Sequence, residues 1–327
     1  MKAWVCTSPS QDLVEETRRR PTANGTDVLI RVEACGVCRT DLHVRDDELP
    51  DVPYPIVPGH QVVGEVVSAC ADSPINVGER VGVAWLGWTC GECAYCANDQ
   101  ENLCDAARFH GYHIDGGYAE YMRADARYCF VLDDRLPAAT TAPLLCAGLI
   151  GFRSLRLAGD ARRIGLYGFG SAAHIVTQVA LHAGQEVYAF TSPGDDQAQR
   201  FARELGATWA GGSDEPAPGE LDAALIFAPV GSLVPKALKD VRKGGSIVCG
   251  GIHMSDIPSF PYADLWGERV IRSVANLTRQ DGHDFMALAA EGFLAPQITT
   301  YPLGDANRAL HDLQDGNVTG SAVLVVD

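Results

Sequence analysis

The sequence predicts a two-part α/β protein, β-rich over roughly its first 140 residues and built as a doubly wound parallel sheet after them. Three observations predict it. Short strand candidates separated by turn residues fill the N-terminal part. From Arg163 onward strands alternate with helical segments. A glycine-rich turn, Gly168-Phe169-Gly170-Ser171-Ala172-Ala173, joins the first of those strands to the first of those helices.

The elements follow in order. Strand candidates in the first part are Ala3–Cys6, Val28–Ala34, Val62–Val67, Arg80–Val83, Tyr118–Met122 and Tyr128–Leu132, punctuated by turns such as Asn24-Gly25, Val77-Gly78 and Asp115-Gly116-Gly117. In the second part Arg163–Tyr167 reads as a strand, Ala172–Ala183 has helical spacing, Val187–Thr191 is a strand and Asp196–Leu205 a helix. Ala223–Ala228 and Ser246–Cys249 are further strands, with the helical stretch Leu233–Val241 between them. Roughly the last 50 residues lose this rhythm and end in an apolar strand, Ala322–Val326, expected to return to the first part.

The chain has 327 residues, enough for two domains at roughly 100–200 residues each. Its net charge of −16 repels phosphate backbones and argues against nucleic acid as a partner. The longest apolar run, Ala142–Phe152, is too short to span a bilayer, and the N-terminus has no signal-peptide architecture. The expectation is a cytoplasmic protein with no membrane partner. Eleven cysteines in such a chain point to metal ligands or catalytic groups rather than disulfides.

Four of them, Cys90, Cys93, Cys96 and Cys104, form a C-x2-C-x2-C-x7-C cluster. Two-residue gaps turn successive thiolates back toward one point, and four thiolates close a tetrahedral zinc site with no open position. An iron–sulfur cluster is the competing ligand set, but the spacings do not match those of ferredoxins. A zinc lobe alone is also compatible with a non-enzymatic interaction protein.

The glycine-rich turn carries a second chemistry. Gly168 allows the sharp turn, Gly170 lets the backbone approach a pyrophosphate, and Ala173 keeps the helix close to the strand. Ser171 and Ala172 open the helix, whose free N–H groups face the phosphates. This is a dinucleotide site. At the end of the second strand, where a carboxylate bonds the ribose of NAD, stand Thr191 and Ser192. NAD and NADP both remain open.

Three further stretches stand far apart: Gly36-Val37-Cys38-Arg39-Thr40-Asp41-Leu42-His43, Pro58-Gly59-His60 and Leu145-Cys146-Ala147-Gly148. With the cysteine lobe and the glycine turn, in this order, they closely resemble the zinc-containing medium-chain alcohol dehydrogenases over nearly the whole chain. The resemblance implies a GroES-like, partly open β-barrel catalytic domain at 1–146 carrying the zinc lobe at about 85–110, a Rossmann domain at 147–277, and a return to the catalytic domain at 278–327. It implies two zinc ions per chain, the catalytic one held by Cys38, His60 and Cys146. Thr40 matches the hydroxyl that bonds the substrate oxygen, His43 the imidazole that passes its proton to solvent, and Arg39 a residue on the cofactor pyrophosphate. Asp41 matches the carboxylate that orients the histidine ligand. Leu86 falls at a position lining the substrate pocket, with Trp85 and Trp88 as neighbours.

The sequence departs from the family's pattern at three places. Gln61 follows the histidine ligand where Glu is usual, Ser321 replaces an Arg that contacts the cofactor in several relatives, and Thr191 replaces the acid of NAD-specific enzymes. The implied activity is hydride transfer between a primary or secondary alcohol, or its aldehyde or ketone, and NAD(P), in a homodimer or homotetramer. The same fold also serves reductases of quinones or activated alkenes, which have no use for the three ligands. Cys6, Cys35, Cys70, Cys129, Cys249 and the remaining histidines, His110 and His174 among them, read as packing residues.

Overall fold

The computed structural model describes residues 1–326; the last residue of the expected C-terminal segment, Asp327, lies outside them. Two compact units divide the chain: Met1–Leu149 with the segment from Asn276 onward, and Ile150–Ala275.

The first unit is organised by one long strand, Asp27–Val37, whose alternate residues Val28, Ile30 and Val32 are buried. It pairs antiparallel with three others: Val62–Ala69, Tyr121–Asp125 and the C-terminal Ser321–Val325. Register shifts at Leu29/Ile30 and Val32/Ala34 bend it, as bulges do, so one strand serves several partners along its length. The sheet runs on through Arg80–Val83 to Cys129–Val131 on one side and through Ser321–Val325 to Ile298–Pro302 on the other. The C-terminal segment enters this sheet as two parallel strands, Ile298–Pro302 and Ser321–Val325. The expected strand at Tyr118–Met122 lies three residues later, at Tyr121–Asp125. Asp125 then caps a short turn, Ala126–Tyr128, before Cys129–Val131.

The second unit is a six-stranded, all-parallel sheet. Its order across the sheet is Trp209–Gly212, Glu186–Thr191, Arg163–Tyr167, Leu221–Ile226, Val241–Cys249 and Val270–Ser273. The strand order reverses direction between Arg163–Tyr167 and Leu221–Ile226, the switch point at whose carboxyl ends such sheets bind ligands. Sequence periodicity locates Ser246–Cys249, but the strand begins at Val241. An irregularity between the Leu221 and Ala223 pairings absorbs Gly244, which has φ +74°. The edge strands Trp209–Gly212 and Val270–Ser273 carry no alternating pattern that would have marked them. Among the described residues no single helix is long and apolar enough to cross a membrane.

Candidate active site and zinc lobe

Cys38 is the residue on which the first cluster is built. It ends the long strand and caps the helix Arg39–Arg45: its Sγ accepts the Thr40 N–H at 3.4 Å, and its own N–H donates to Asp41 Oδ2 at 2.9 Å. Both the Thr40 amide and the helix N-terminus favour a thiolate at Cys38. Pro58-Gly59-His60 brings in the imidazole, whose Nε2 lies 3.2 Å from Cys38 Sγ. Cys146 follows a 3-10 turn, Ala142–Leu145, and completes the set. The donor atoms of Cys38, His60 and Cys146 all lie within 4.8 Å of one another, though they come from positions far apart in the chain.

Asp41 holds this arrangement from behind. Only 1% exposed, it accepts the Cys38 N–H, the Gly59 N–H at 3.2 Å, and lies 3.3 Å from His60 Nδ1. One carboxylate thus fixes both ligand loops and leaves His60 Nε2 to face the thiols. The electrostatics agree. The Cys146 hydrogen bond, against burial and with help from His60, holds the Cys38 thiol well below its usual range. The same bond and burial push Cys146 well above it. Burial disfavours a charged His60, but Cys38 and Asp41 outweigh it and raise its pKa to about 10. The three groups share protons that a metal ion would displace. Two thiols and an imidazole with no fourth His, Cys, Asp or Glu in the group, among the described residues, fit a zinc ion with one open position.

Thr40 is half-buried on the first turn of the same helix, and Arg39 is exposed beside it. His43 lies one turn on, buried, with Nδ1 hydrogen-bonded to Glu48 Oε2. The Glu48 side chain is half exposed. Nothing in the sequence singles out Glu48, the last member of the acidic run Asp46-Asp47-Glu48.

Gln61 is buried behind Gly36, where a Cβ would come within 2.8 Å of the amide carbon, and its Nε2 has no hydrogen-bond partner. Trp85 is half-buried, its ring 6.2 Å from that of His60 and stacked on Phe109 at 4.2 Å; Tyr112 and His113 extend the stack. Leu86 is packed away in the core. Trp88 lines a separate cavity with Arg108. Of the three pocket candidates, only Trp85 has a ring contact with a ligand side chain of the Cys38, His60 and Cys146 cluster.

In the cysteine lobe the four Sγ atoms of Cys90, Cys93, Cys96 and Cys104 also lie within 4.8 Å of one another. Gly91, with φ +76°, makes the turn that lets the Cys93 N–H donate to Cys90 Sγ at 3.4 Å. The backbone amides of Glu92 and Cys93 lower the Cys90 pKa to about 7, while burial raises Cys104 to about 11. The lobe is anchored by Glu101, 4% exposed, which accepts from the Arg279 backbone and guanidinium, and by Thr89 on the Tyr128 hydroxyl. All eleven cysteines are free thiols.

In the second unit, Gly168 has φ +90°, and a Cβ there would lie 2.7 Å from the Ala228 nitrogen. Gly170 caps the helix Ser171–His182 and has nothing within 4 Å of a Cβ, so open space lies before the helix N-terminus; Ala173 is fully buried beneath it. Thr191 ends its strand but is 2% exposed, its hydroxyl shared between the Ser192 and Gly211 carbonyls. Ser192, the next residue, is exposed. Ser321 is buried at the start of the C-terminal strand.

Residues 24–134 match the alcohol dehydrogenase GroES-like domain family. The chain is 43% identical to the probable alcohol dehydrogenase AdhA of Mycobacterium tuberculosis, covering all of this chain and 97% of that protein. It is 35% identical to an alcohol dehydrogenase of Geobacillus stearothermophilus, covering 99% and 98%. Among solved structures, an acetophenone reductase from Geotrichum candidum in complex with NAD superposes with a TM-score of 0.88 at 26% identity, over 99% of this chain and 96% of that one.

Proposed function

This chain belongs to the zinc-dependent medium-chain alcohol dehydrogenase family, an oxidoreductase that transfers a hydride between a small-molecule alcohol and NAD(P), and from that premise we infer how its own residues divide the work. Cys38, His60 and Cys146 would hold the catalytic zinc, and Cys90, Cys93, Cys96 and Cys104 a structural one. When bound, zinc in the first site would supply a Lewis acid for an alcohol or carbonyl oxygen, and a nicotinamide would supply the hydride acceptor or donor. Asp41 keeps the His60 ring oriented and both ligand loops in place. The Thr40 hydroxyl both donates and accepts, so it can take the substrate proton and hand it on. His43, held by Glu48, passes that proton toward the half-exposed carboxylate and water. Gly168, Gly170, Ser171, Ala172 and Ala173 cradle the cofactor pyrophosphate, with Arg39 as a further anion contact. We divide the chain accordingly into a catalytic part, 1–146 with 278–327, and a cofactor part, 147–277, working in the cytoplasm.

The observation that carries this reading is the convergence of Cys38, His60 and Cys146 around the Asp41 carboxylate. A quinone or alkene reductase on this fold has no work for that set. Replacing His60 by Ala should abolish turnover, leave nicotinamide binding intact, and lower zinc from about two ions per chain to about one. Full zinc content with near wild-type alcohol oxidation would refute it.

We propose further that the enzyme is a homodimer. Val270–Ser273 is a free edge of the parallel sheet, and Tyr262 and Trp266 beside it are 72% and 62% exposed. An exposed edge flanked by large apolar side chains invites pairing with a second copy. Light scattering of Trp266→Glu should show monomer where the wild type shows dimer; a wild-type monomer, or a Trp266→Glu dimer, would refute it.

A further inference from the structure

The first unit contains a cavity of about 830 Å³ whose wall includes Arg18, Arg19, Arg20, Arg108 and Arg123. The chain carries 42 acidic against 26 basic residues, so a guanidinium has ample carboxylates to pair with. Three carboxylates do line the cavity, and each is engaged. Asp27 lies 3.4 Å from Arg123, Asp115 lies 3.5 Å from Arg18 and also accepts the Val57 N–H, and Asp125 is bound at 2.6 Å by Arg127. That leaves Arg19, Arg20 and Arg108 with no carboxylate within 4.0 Å among the described residues. The Arg20 guanidinium is held 3.9 Å over the Tyr121 ring, which orients it without neutralising it.

His110 lies on the same wall but is shut away from the cavity space. It is fully buried; its Nδ1 lies 2.9 Å from the Ala84 carbonyl, and its Nε2 has no partner. A carbonyl only accepts, so Nδ1 carries the proton and Nε2 presents a lone pair. Burial lowers the His110 pKa to about 4, which keeps the ring neutral. Gly87 packs against the ring, where a Cβ would lie 2.8 Å from Cε1. That lone pair is closed off beneath Gly87, so the exposed guanidiniums, not the imidazole, set what the cavity can take: a ligand that brings negative charge.

We propose that this cavity binds a small phosphorylated ligand carrying two or more negative charges, with its phosphates on Arg19, Arg20 and Arg108. The volume lies within the range of small-molecule sites. The site uses none of the zinc ligands and none of the dinucleotide turn.

The test is calorimetric titration of the zinc-loaded enzyme, saturated with reduced nicotinamide cofactor so that the dinucleotide turn is occupied. Fructose 1,6-bisphosphate is one probe and inorganic phosphate the other. One saturable site per chain should appear for the bisphosphate, at least about tenfold tighter than for phosphate and weakening as salt is raised. Arg19 and Arg108 are exposed, so R19A/R108A should fold and turn over alcohol as the wild type does while losing more than about tenfold in bisphosphate affinity. R19K/R108K should recover part of it. Absence of a saturable site, or equal affinity in wild type and R19A/R108A, would overturn the proposal. Phosphate binding as tightly as the bisphosphate would overturn it too, since the cavity would then read a single charge.

Discussion

Replacing Asp41 tests the core of the catalytic site without touching a ligand. The carboxylate serves the Cys38 amide at 2.9 Å, the Gly59 amide at 3.2 Å and the His60 ring at 3.3 Å, all in a buried setting. Asp41→Ala strands those donors, and an unsatisfied buried donor costs about 1–3 kcal/mol. Against that stands the burial cost of the carboxylate itself, seen in its raised pKa, which the mutation removes. The balance is a loss of about 3 kcal/mol, or roughly 5 °C or more in Tm for domains of this size. The freed His60 ring should weaken zinc at this site by about 10–100-fold. Asp41→Asn keeps one accepting oxygen and should fall between the two. The assay is zinc retention against a graded chelator, followed ion by ion, beside a thermal melt. One zinc should leave early in Asp41→Ala while the cysteine-lobe zinc stays. Identical chelator resistance in wild type and Asp41→Ala would refute the assignment of Asp41 as the group that orients the ligands.

Cys96→Ser should remove the other zinc and lower Tm, because Glu101 and Arg279 tie that lobe to the C-terminal segment; full metal content with an unchanged melt would contradict it. Ser192→Asp should move the ratio of kcat/KM values toward NAD by adding a ribose acceptor and repelling a 2′-phosphate. Thr191→Asp should chiefly destabilise, because that side chain is buried against the Gly211 carbonyl; a clean cofactor switch from Thr191→Asp alone would show that the strand end has been misread. His43→Gln should slow alcohol oxidation by about 100-fold or more, most at low pH, with partial rescue by imidazole buffer. Glu48→Gln should do so less; a pH–rate profile unchanged in both would remove this route for the proton.

The chemistry of this protein is legible in its sequence where the groups that act together sit in one short window or at fixed offsets. Cys90 to Cys104 are one loop, Gly168 to Ala173 one turn, and Cys38, Thr40, Asp41 and His43 one helical turn and its cap. The partners of those windows are another matter. Glu48 reaches His43 because the chain turns back after Arg45, and Phe109 reaches Trp85 because Leu86–Trp88 and Arg108–Phe109 happen to pair. Thr191 has the right sequence position for a ribose contact, yet its strand neighbour Trp209–Gly212 claims the hydroxyl; only the sheet order reveals that. The arginine cavity is the extreme case. Its charges come from positions 18–20, 108 and 123, and no window of the sequence holds more than three of them. The pairing of Asp27–Val37 with Tyr121–Asp125 sets position 123 against position 29, and the short Leu86–Trp88 ribbon carries Arg108 beside Trp88. In a chain of net charge −16 such a concentration of guanidiniums, three of them without a carboxylate partner, is invisible to composition, because composition carries no record of which strands pair.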